Sequence, residues 1–254
     1  STLGKIDIKG KDAAEFLNKI YSNPFAKVPV GRVRYGLMLR EDGICYDDGT
    51  TARLAENHFV MTTTTANAVL VYRNMEFARQ CLFPDLDVHI ISTTDQWAQF
   101  AVAGPNSRAV LSKIIDNVDM SNDGFPFMAC SDVTVCGGTP GRLFRISFSG
   151  ELAYEVAVPA RYGDALIREI ISAGEEFNIT PYGTEALGVM RIEKGHVTGA
   201  ELNGQMTAFN INMNNMISTK KDSIGSVLSR REVMVADDQV RLVGVKTIKK
   251  SDSL

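Results

Sequence analysis

Histidine and tryptophan are scarce in this chain of 254 residues, which contains three histidines and one tryptophan. Its four cysteines, Cys45, Cys81, Cys130 and Cys136, include no Cys-x-x-Cys pair. Structural zinc sites and iron–sulfur clusters need such spacing, so we expect no metal site. Each cysteine stands in an apolar stretch. This pattern predicts buried free thiols in a reducing compartment and therefore a cytoplasmic location.

An excess of basic charge is also lacking. The chain has 27 lysines and arginines against 30 aspartates and glutamates, a formal net charge of −3. Phosphate backbones are bound by basic faces, so we do not expect a nucleic-acid partner. No apolar run approaches the roughly 18 residues of a membrane span, and no signal peptide is recognisable, so we expect no membrane partner.

No glycine-rich turn of the kind that holds a dinucleotide follows a strand and opens a helix. The one glycine cluster, residues 137–141, is interrupted by Pro140 and precedes a strand-like stretch, so we interpret it as a tight turn. No Gly-x-Ser-x-Gly nucleophile motif is present either. We therefore expect this chain alone to bind no flavin or nicotinamide and to have no oxidase activity.

Strand-like and helix-like patterns alternate without a regular βαβ order, which favours an α+β fold over a doubly wound parallel sheet. Residues 241–254 resemble the start of another domain, with a strand at 243–249, and the first residue is Ser1. We therefore expect a segment of a longer chain. The predicted strands are residues 5–8, 34–40, 59–63, 87–91, 99–102, 144–148 and 154–158. The predicted helices are residues 12–20, 67–80, a helix starting near 104, 160–173, 183–194 and 222–230.

Three segments contain polar residues where packing alone does not require them. The first is a carboxylate pair, Asp47 and Asp48, in a predicted turn, where carboxylates commonly cap backbone N–H groups. The second contains Glu155 within an apolar strand, where it must either face solvent or have a partner. The third contains Arg191 and Glu193 near a helix end, where the two could pair with each other or with neighbours.

The order of these segments resembles the glycine-cleavage T-protein (aminomethyltransferase) superfamily. A closer resemblance is to the carboxy-terminal part of the α subunits of heterotetrameric sarcosine oxidases. Together the matching stretches extend over nearly the whole chain, from Leu3 to about Val245, and each alone would be weakly specific. The stretches are residues 29–39, 61–65, 96–105, 143–155, 181–196 and 218–222.

The resemblance implies a tetrahydrofolate-binding α+β fold. Residues 3–240 would form the folate-binding region, with two interleaved subdomains, and residues 241–254 the incomplete start of a carboxy-terminal β-barrel domain. It also implies other sarcosine oxidase subunits as partners. FAD, FMN and NAD would be bound in the full complex by regions that this chain does not contain.

The resemblance further assigns roles to single residues. The active-site aspartate of the superfamily falls on Asp48, and its pterin-binding glutamate falls on Glu155, preceded by Tyr154. Two folate-contacting aromatic positions fall on Phe148 and His196.

The sequence departs from the T-protein pattern at two positions. A pterin-supporting asparagine is replaced by Thr64, and the first of two arginines in the late helix is replaced by Leu187, which leaves Arg191. These departures put aminomethyl transfer from a lipoyl carrier in doubt, whereas the sarcosine oxidase pattern tolerates them. Arg32, Arg34 and Arg191 are candidate partners for the anionic glutamate tail of folate.

Three functions therefore remain open from the sequence. The first is capture of the one-carbon unit of sarcosine oxidation as 5,10-methylenetetrahydrofolate, with Asp48 moving protons and Glu155 accepting the pterin N–H donors. The second is a T-protein-like aminomethyltransferase or a folate-dependent demethylase that acts alone. The third is a folate-binding scaffold without chemistry, for which Asp48 would have no purpose.

Overall fold

A computed structural model describes residues 1–248 as two antiparallel sheets covered by short helices. The first sheet has the strand order β2-β3-β4-β1-β5 and the second β6-β9-β8-β7. The strands are β1 Gly4–Lys9, β2 Arg32–Leu39, β3 Cys45–Ala55, β4 His58–Thr63, β5 His89–Ser92, β6 Trp97–Ala103, β7 Cys130–Val135, β8 Thr139–Phe144 and β9 Ala153–Pro159. The helices are α1 Ala13–Ile20, α2 Ala68–Phe77, α3 Ser107–Leu111, α4 Gly163–Gly174, α5 Thr184–Lys194 and α6 Glu232–Val235.

Each sheet has its own hydrophobic core on the face that its helices cover. Alternation along β1 directs Ile6 and Ile8 into the first core, where they meet Phe16 and Leu17 of α1. In the second core, Leu143 and Val156 pack with residues of α3 and α4. Because the helices occupy these outer faces, the opposite faces of the two sheets are left to meet each other.

The inner faces of the sheets contact through a small apolar cluster and a buried ion pair. Val33 and Ala52 of the first sheet pack against Phe144 of the second. Beside them, the guanidinium of Arg142 donates two hydrogen bonds to the carboxylate of Asp7, at 3.0 and 2.7 Å. These contacts hold the sheets face to face. Beyond them, inner-face residues such as Asp48 and Glu155 remain partly exposed, and we call the space that they border the cleft.

Most predicted elements are confirmed, and the α+β class with them, but several local predictions were wrong. Asp47 and Asp48 do not lie in a turn, because the chain continues through them as β3. The hairpin of β8 and β9 exists, but its first strand ends at Phe144, so the predicted strand at 144–148 is a loop. The predicted helix at 222–230 is absent apart from a 3₁₀ turn at Leu228–Arg230. The strands β3 and β7 were not predicted.

The cysteine prediction holds for two of the four residues. Cys45 and Cys130 are buried, whereas Cys81 and Cys136 are exposed. Cys136 lies in the turn between β7 and β8, with a φ of 50°, and a turn of this kind projects its residues into solvent.

The predicted strand at 243–249 is not present in residues 243–248, and Lys249 lies outside the described residues, as does the rest of the predicted barrel start to Leu254. Just before residue 243, the chain is held against Asn210 by two hydrogen bonds. The amide of Leu242 donates to the carbonyl of Asn210 at 2.7 Å, and the side chain of Asn210 donates to the carbonyl of Val240 at 2.8 Å. Among residues 1–248, no helix is long and apolar enough to cross a membrane.

Candidate functional site

Strand register places a row of polar residues on the inner face of the first sheet. Lys5 is opposite Thr62, and Tyr35 is opposite Thr50, while the hydroxyls of Thr50 and Thr62 lie 3.0 Å apart. Asp48 is two residues before Thr50 on β3 and therefore shares its face. The row thus crosses four strands and faces the cleft.

Asp48 lies in this row and is half-buried. The phenol of Tyr35 donates a hydrogen bond of 2.6 Å to its Oδ2 atom. Burial raises the pKa of Asp48 from 3.8 to about 6, with a further contribution from the neighbouring charge of Asp47, while the bond from Tyr35 opposes the rise. A carboxyl with a pKa near 6 can both accept and release a proton close to neutral pH.

Asp47 points to the other face of β3 and is fully buried. Its Oδ2 accepts from the backbone N–H of Thr64 at 3.1 Å, and its Oδ1 accepts from the side chain of Asn67 at 3.0 Å. Asp47 therefore connects β3 to the segment that leads into α2. The predicted site residue Thr64 belongs to this connection. Asp47 accepts from a backbone N–H group, as the interpretation of the aspartate pair as a backbone cap predicted for it.

Glu155 faces the cleft from the second sheet. It is opposite Ala101 on β6 and Phe144 on β8, and Phe144 belongs to the apolar contact between the sheets. The side-chain amide of Gln99 donates to its Oε2 atom, and within residues 1–248 no other hydrogen bond to this carboxylate is present. Burial raises the pKa of Glu155, and the bond from Gln99 and the charge of Lys5 oppose the rise.

The side chain of Tyr154 does not share this face, which corrects its predicted role as a ligand contact. Alternation along β9 turns it into the second core, where it is fully buried. Its hydroxyl accepts a hydrogen bond of 2.9 Å from Arg108, and its ring stacks on Phe125 with the centroids 6.4 Å apart. Tyr154 therefore supports β9 from behind.

Phe148 and His196, predicted from distant parts of the sequence, contact each other directly. Their rings stack with centroids 5.5 Å apart and an angle of 17° between the planes. The Nδ1 atom of His196 also lies 2.9 Å from the carbonyl oxygen of Phe148. Phe148 is 39% exposed, so the pair presents an aromatic surface to solvent.

The three candidate partners of an anionic tail are engaged elsewhere. Arg191 donates to Glu201 at 2.8 Å and to the carbonyl of His196 at 3.2 Å, so it holds the loop that follows α5. Arg32 donates to the carbonyl of Phe127, and Arg34 to that of Pro24. Register places Arg32 and Arg34 on the face of β2 that turns away from Asp48. These predictions are corrected accordingly.

Sequence reasoning missed the polar residues that neighbour Asp48 and Glu155. Tyr35, Lys5 and Gln99 lie on strands that otherwise have an ordinary amphipathic pattern. An unusual feature is that the lysine and the glutamine are almost fully buried, at 3% and 4% exposure. Burial of this kind is set by the partner strands, so no local signal in the sequence reports it.

The fold and the cleft define the class of the protein. The chain belongs to the family described as the GCVT N-terminal domain, whose model matches residues 1–221. The crystal structure of glycine cleavage system aminomethyltransferase T from Bartonella henselae has the same fold, with a TM-score of 0.79 at 20% identity over 92% of this chain and 61% of that chain. The predicted T-protein-like fold is therefore confirmed.

Among characterised proteins, the chain is similar to sarcosine oxidase subunit alpha of Rhizobium meliloti (strain 1021). The two are 55% identical over 247 residues, which cover 96% of this chain and 25% of that protein. The chain thus spans about a quarter of the length of this relative. A structure of heterotetrameric sarcosine oxidase from Corynebacterium sp. U-96 shares the fold, with a TM-score of 0.51 at 15% identity over 72% of this chain and 85% of that chain.

Proposed function

We propose that this chain binds tetrahydrofolate in the cleft between its sheets and captures a one-carbon unit as 5,10-methylenetetrahydrofolate. It would do so as part of a sarcosine oxidase α-type subunit. The observation that supports the proposal best is that two half-buried carboxylates, Asp48 and Glu155, lie on the inner faces of different sheets and border the same cleft. Similarity to the R. meliloti α subunit supports sarcosine oxidation as the source of the one-carbon unit.

Glu155 is suited to recognition of the pterin ring. The ring of a reduced folate presents two adjacent N–H donors, on N3 and on the 2-amino group, and one carboxylate can accept both. The carboxylate of Glu155 has one protein donor, Gln99, among the described residues. Partial burial of an incompletely paired carboxylate is costly, so a ligand that brings two donors would stabilise it.

Asp48 is suited to proton transfer. When the one-carbon unit arrives as formaldehyde, each folate nitrogen that forms a bond to its carbon loses a proton, and the oxygen leaves as water. With a pKa of about 6, Asp48 can take a proton from nitrogen and return it to the departing oxygen. Phe148 and His196 offer a flat aromatic surface at the rim, against which the aryl part of the ligand can pack.

The oxidation itself would take place elsewhere in the complex. FAD, FMN and NAD are proposed to bind to regions of the sarcosine oxidase assembly outside this chain, and the other subunits are its proposed partners, in the cytoplasm. The structural likeness to aminomethyltransferase T favours one alternative, a transferase or folate-dependent demethylase that acts alone. Co-purification of the full polypeptide with flavin-containing subunits separates the two.

Glu155→Gln tests folate binding. An amide keeps one acceptor but turns an N–H donor toward the donors of the pterin, so we expect affinity for tetrahydrofolate to fall by about 1–3 kcal/mol. Glu151→Gln is the matched control, because Glu151 lies nearby and is exposed. Isothermal titration calorimetry measures both. Equal affinities for Glu155→Gln and the unchanged protein would refute the proposed binding mode.

A further inference from the structure

Lys5 is a lysine in the middle of the first sheet with only 3% of its surface exposed. It lies on β1, opposite Thr62, and faces the cleft in the same row as Tyr35. Lysines are almost never buried to this degree without a partner for the charge, because desolvation of an ammonium is expensive. The hydrogen-bond partners of the Lys5 ammonium therefore indicate the function of this side chain.

The ammonium group of Lys5 has three N–H donors, and the structure accounts for two of them. Nζ donates to the carbonyl oxygen of Leu3 at 3.0 Å and to that of Ser1 at 3.2 Å. No other hydrogen bond or ion pair of this group is present within residues 1–248. One N–H donor is thus left over in a buried place.

Burial lowers the pKa of Lys5 and the charge of Glu155 opposes this larger effect, and the two residues form no direct ion pair among the described residues. Hydrogen bonds connect them through Ser1, which precedes β1, and Gln99 of β6. Lys5 donates to the carbonyl of Ser1, the amino group of Ser1 donates to the carbonyl of Gln99, and the side chain of Gln99 donates to Glu155. A cation and a carboxylate therefore border the same part of the cleft from opposite sheets.

We propose that Lys5 is a ligand-binding residue that donates a hydrogen bond to the C4 carbonyl oxygen of the pterin, beside the two N–H groups that Glu155 accepts. This inference rests on the proposed function. The edge of a tetrahydropterin presents one acceptor, O4, followed by two donors, N3–H and the 2-amino group. Lys5 and Glu155, bordering the same part of the cleft, offer the complementary set of one donor and two acceptors.

The competing role for a cation in a folate site is to bind the anionic glutamate tail. Lys5 is poorly placed for that role, because the tail must remain accessible from solvent and the ammonium is buried among backbone carbonyls. The two roles predict different effects on the affinity for ligands with and without the glutamate tail. Recognition of O4 involves the pterin ring alone, whereas recognition of the tail requires its carboxylates.

Binding of two ligands to the full chain tests the inference. Tetrahydrofolate has both the ring and the tail, and 6-methyltetrahydropterin has the ring without a charged tail. We expect Lys5→Met to weaken both by the same factor, about 10-fold to 100-fold for the loss of one charge-assisted hydrogen bond. Lys5→Gln keeps a neutral N–H donor and should recover part of the loss.

Lys9→Met is the matched control, because Lys9 is on the same strand and the same face of the sheet but is exposed. Circular dichroism and thermal unfolding establish that each variant is folded. Unchanged affinity of Lys5→Met for 6-methyltetrahydropterin would overturn the inference. This holds even if the affinity for tetrahydrofolate falls, because that result would assign Lys5 to the tail. Failure of the unchanged protein to bind tetrahydrofolate would instead overturn the proposed function, and this inference with it.

Discussion

Asp48 shows how the environment of a single side chain determines its chemistry. The same carboxyl in solvent would be ionised at pH 5, but burial beside Asp47 raises its pKa to about 6. The phenol of Tyr35 donates to it on the same face, while the charge of Asp47 acts on it from the other face of β3. Neither of them is a cation, so only hydrogen bonds, from Tyr35 and from the backbone at Asp48, oppose the rise of its pKa among the described residues.

Asp48→Asn should slow capture of the one-carbon unit without affecting oxidation. Loss of a general acid–base group costs about 10²-fold to 10⁴-fold in the step that it serves. In the complete enzyme, hydrogen peroxide formation should continue at the original rate while free formaldehyde accumulates in the presence of folate. If the variant converts the one-carbon unit to 5,10-methylenetetrahydrofolate as fast as the unchanged enzyme, Asp48 has no catalytic role.

The same substitution should stabilise the folded protein at neutral pH. Because the folded pKa lies above the unfolded value of 3.8, ionisation of Asp48 costs stability as the pH rises from about 4 to about 6, and the cost stays constant above that. Asp48→Asn removes this cost, about 1–3 kcal/mol above pH 7. Urea unfolding at pH 4 and pH 7.5 should show the gain only at the higher pH, and a gain of equal size at both would contradict the assignment.

At the scale of elements, the edge of the first sheet depends on close approach between strands. Gly36 of β2 is opposite Gly49 of β3, and the rings of Tyr21 and Phe25 pack beneath Gly36. A Cβ atom at Gly49 would lie 2.0 Å from the carbonyl oxygen of Thr62 on β4. The pairing that positions Asp48 therefore tolerates no side chain at this point.

Gly49→Ala should destabilise the protein by about 1–3 kcal/mol, because the new methyl group forces backbone rather than a flexible side chain to move. Gly138→Ala is the control, since a Cβ atom there would meet no atom within 4 Å. The control should be neutral or slightly stabilising through reduced freedom of the unfolded chain. Thermal unfolding of the two variants measures the difference. A Gly49→Ala protein as stable as the control would show that β3 and β4 can separate without cost.

At the scale of the whole molecule, one buried cluster joins the two sheets. Asp7 accepts hydrogen bonds from Arg142, from Thr93 at 3.0 Å and from His58 at 2.8 Å, and Arg142 packs over the ring of Trp97 at 4.0 Å. Burial by itself would raise the pKa of Asp7, but these bonds and the charge of Arg142 hold it well below its ordinary value. The cluster therefore helps to set the width of the cleft.

Asp7→Asn should destabilise the protein by about 3–5 kcal/mol, since it leaves the buried guanidinium of Arg142 without its counter-charge. Asp164→Asn, which breaks an exposed pair with Arg168 on α4, should leave stability unchanged within error. The stabilisation from Asp7 is fully present above pH 3.8 and is lost as the pH falls through its lowered folded pKa. Urea unfolding at pH 7 measures the difference between the variants, and equal stability would show that the sheets are held by their apolar contact alone.

The sequence by itself determined where most strands and helices lie and which segments contain polar residues of chemical interest. These properties follow from local patterns: alternation in β1, the apolar run of β9, the breaker residues between elements, and Gly195 at the end of α5. The resemblance then indicated that Asp48, Glu155, Phe148 and His196 belong together. The structure supports this grouping by placing both carboxylates toward one cleft and both rings in contact.

Only the tertiary structure decided which face of each strand meets the other sheet. That choice separates Glu155 from Tyr154 and Asp48 from Asp47, because adjacent residues on a strand point to opposite sides. It also brought Lys5 and Gln99 to the site from β1 and β6. Their burial depends on strand pairs that join residues far apart in the chain, and such long-range pairing leaves no local signal for a sequence pattern to report.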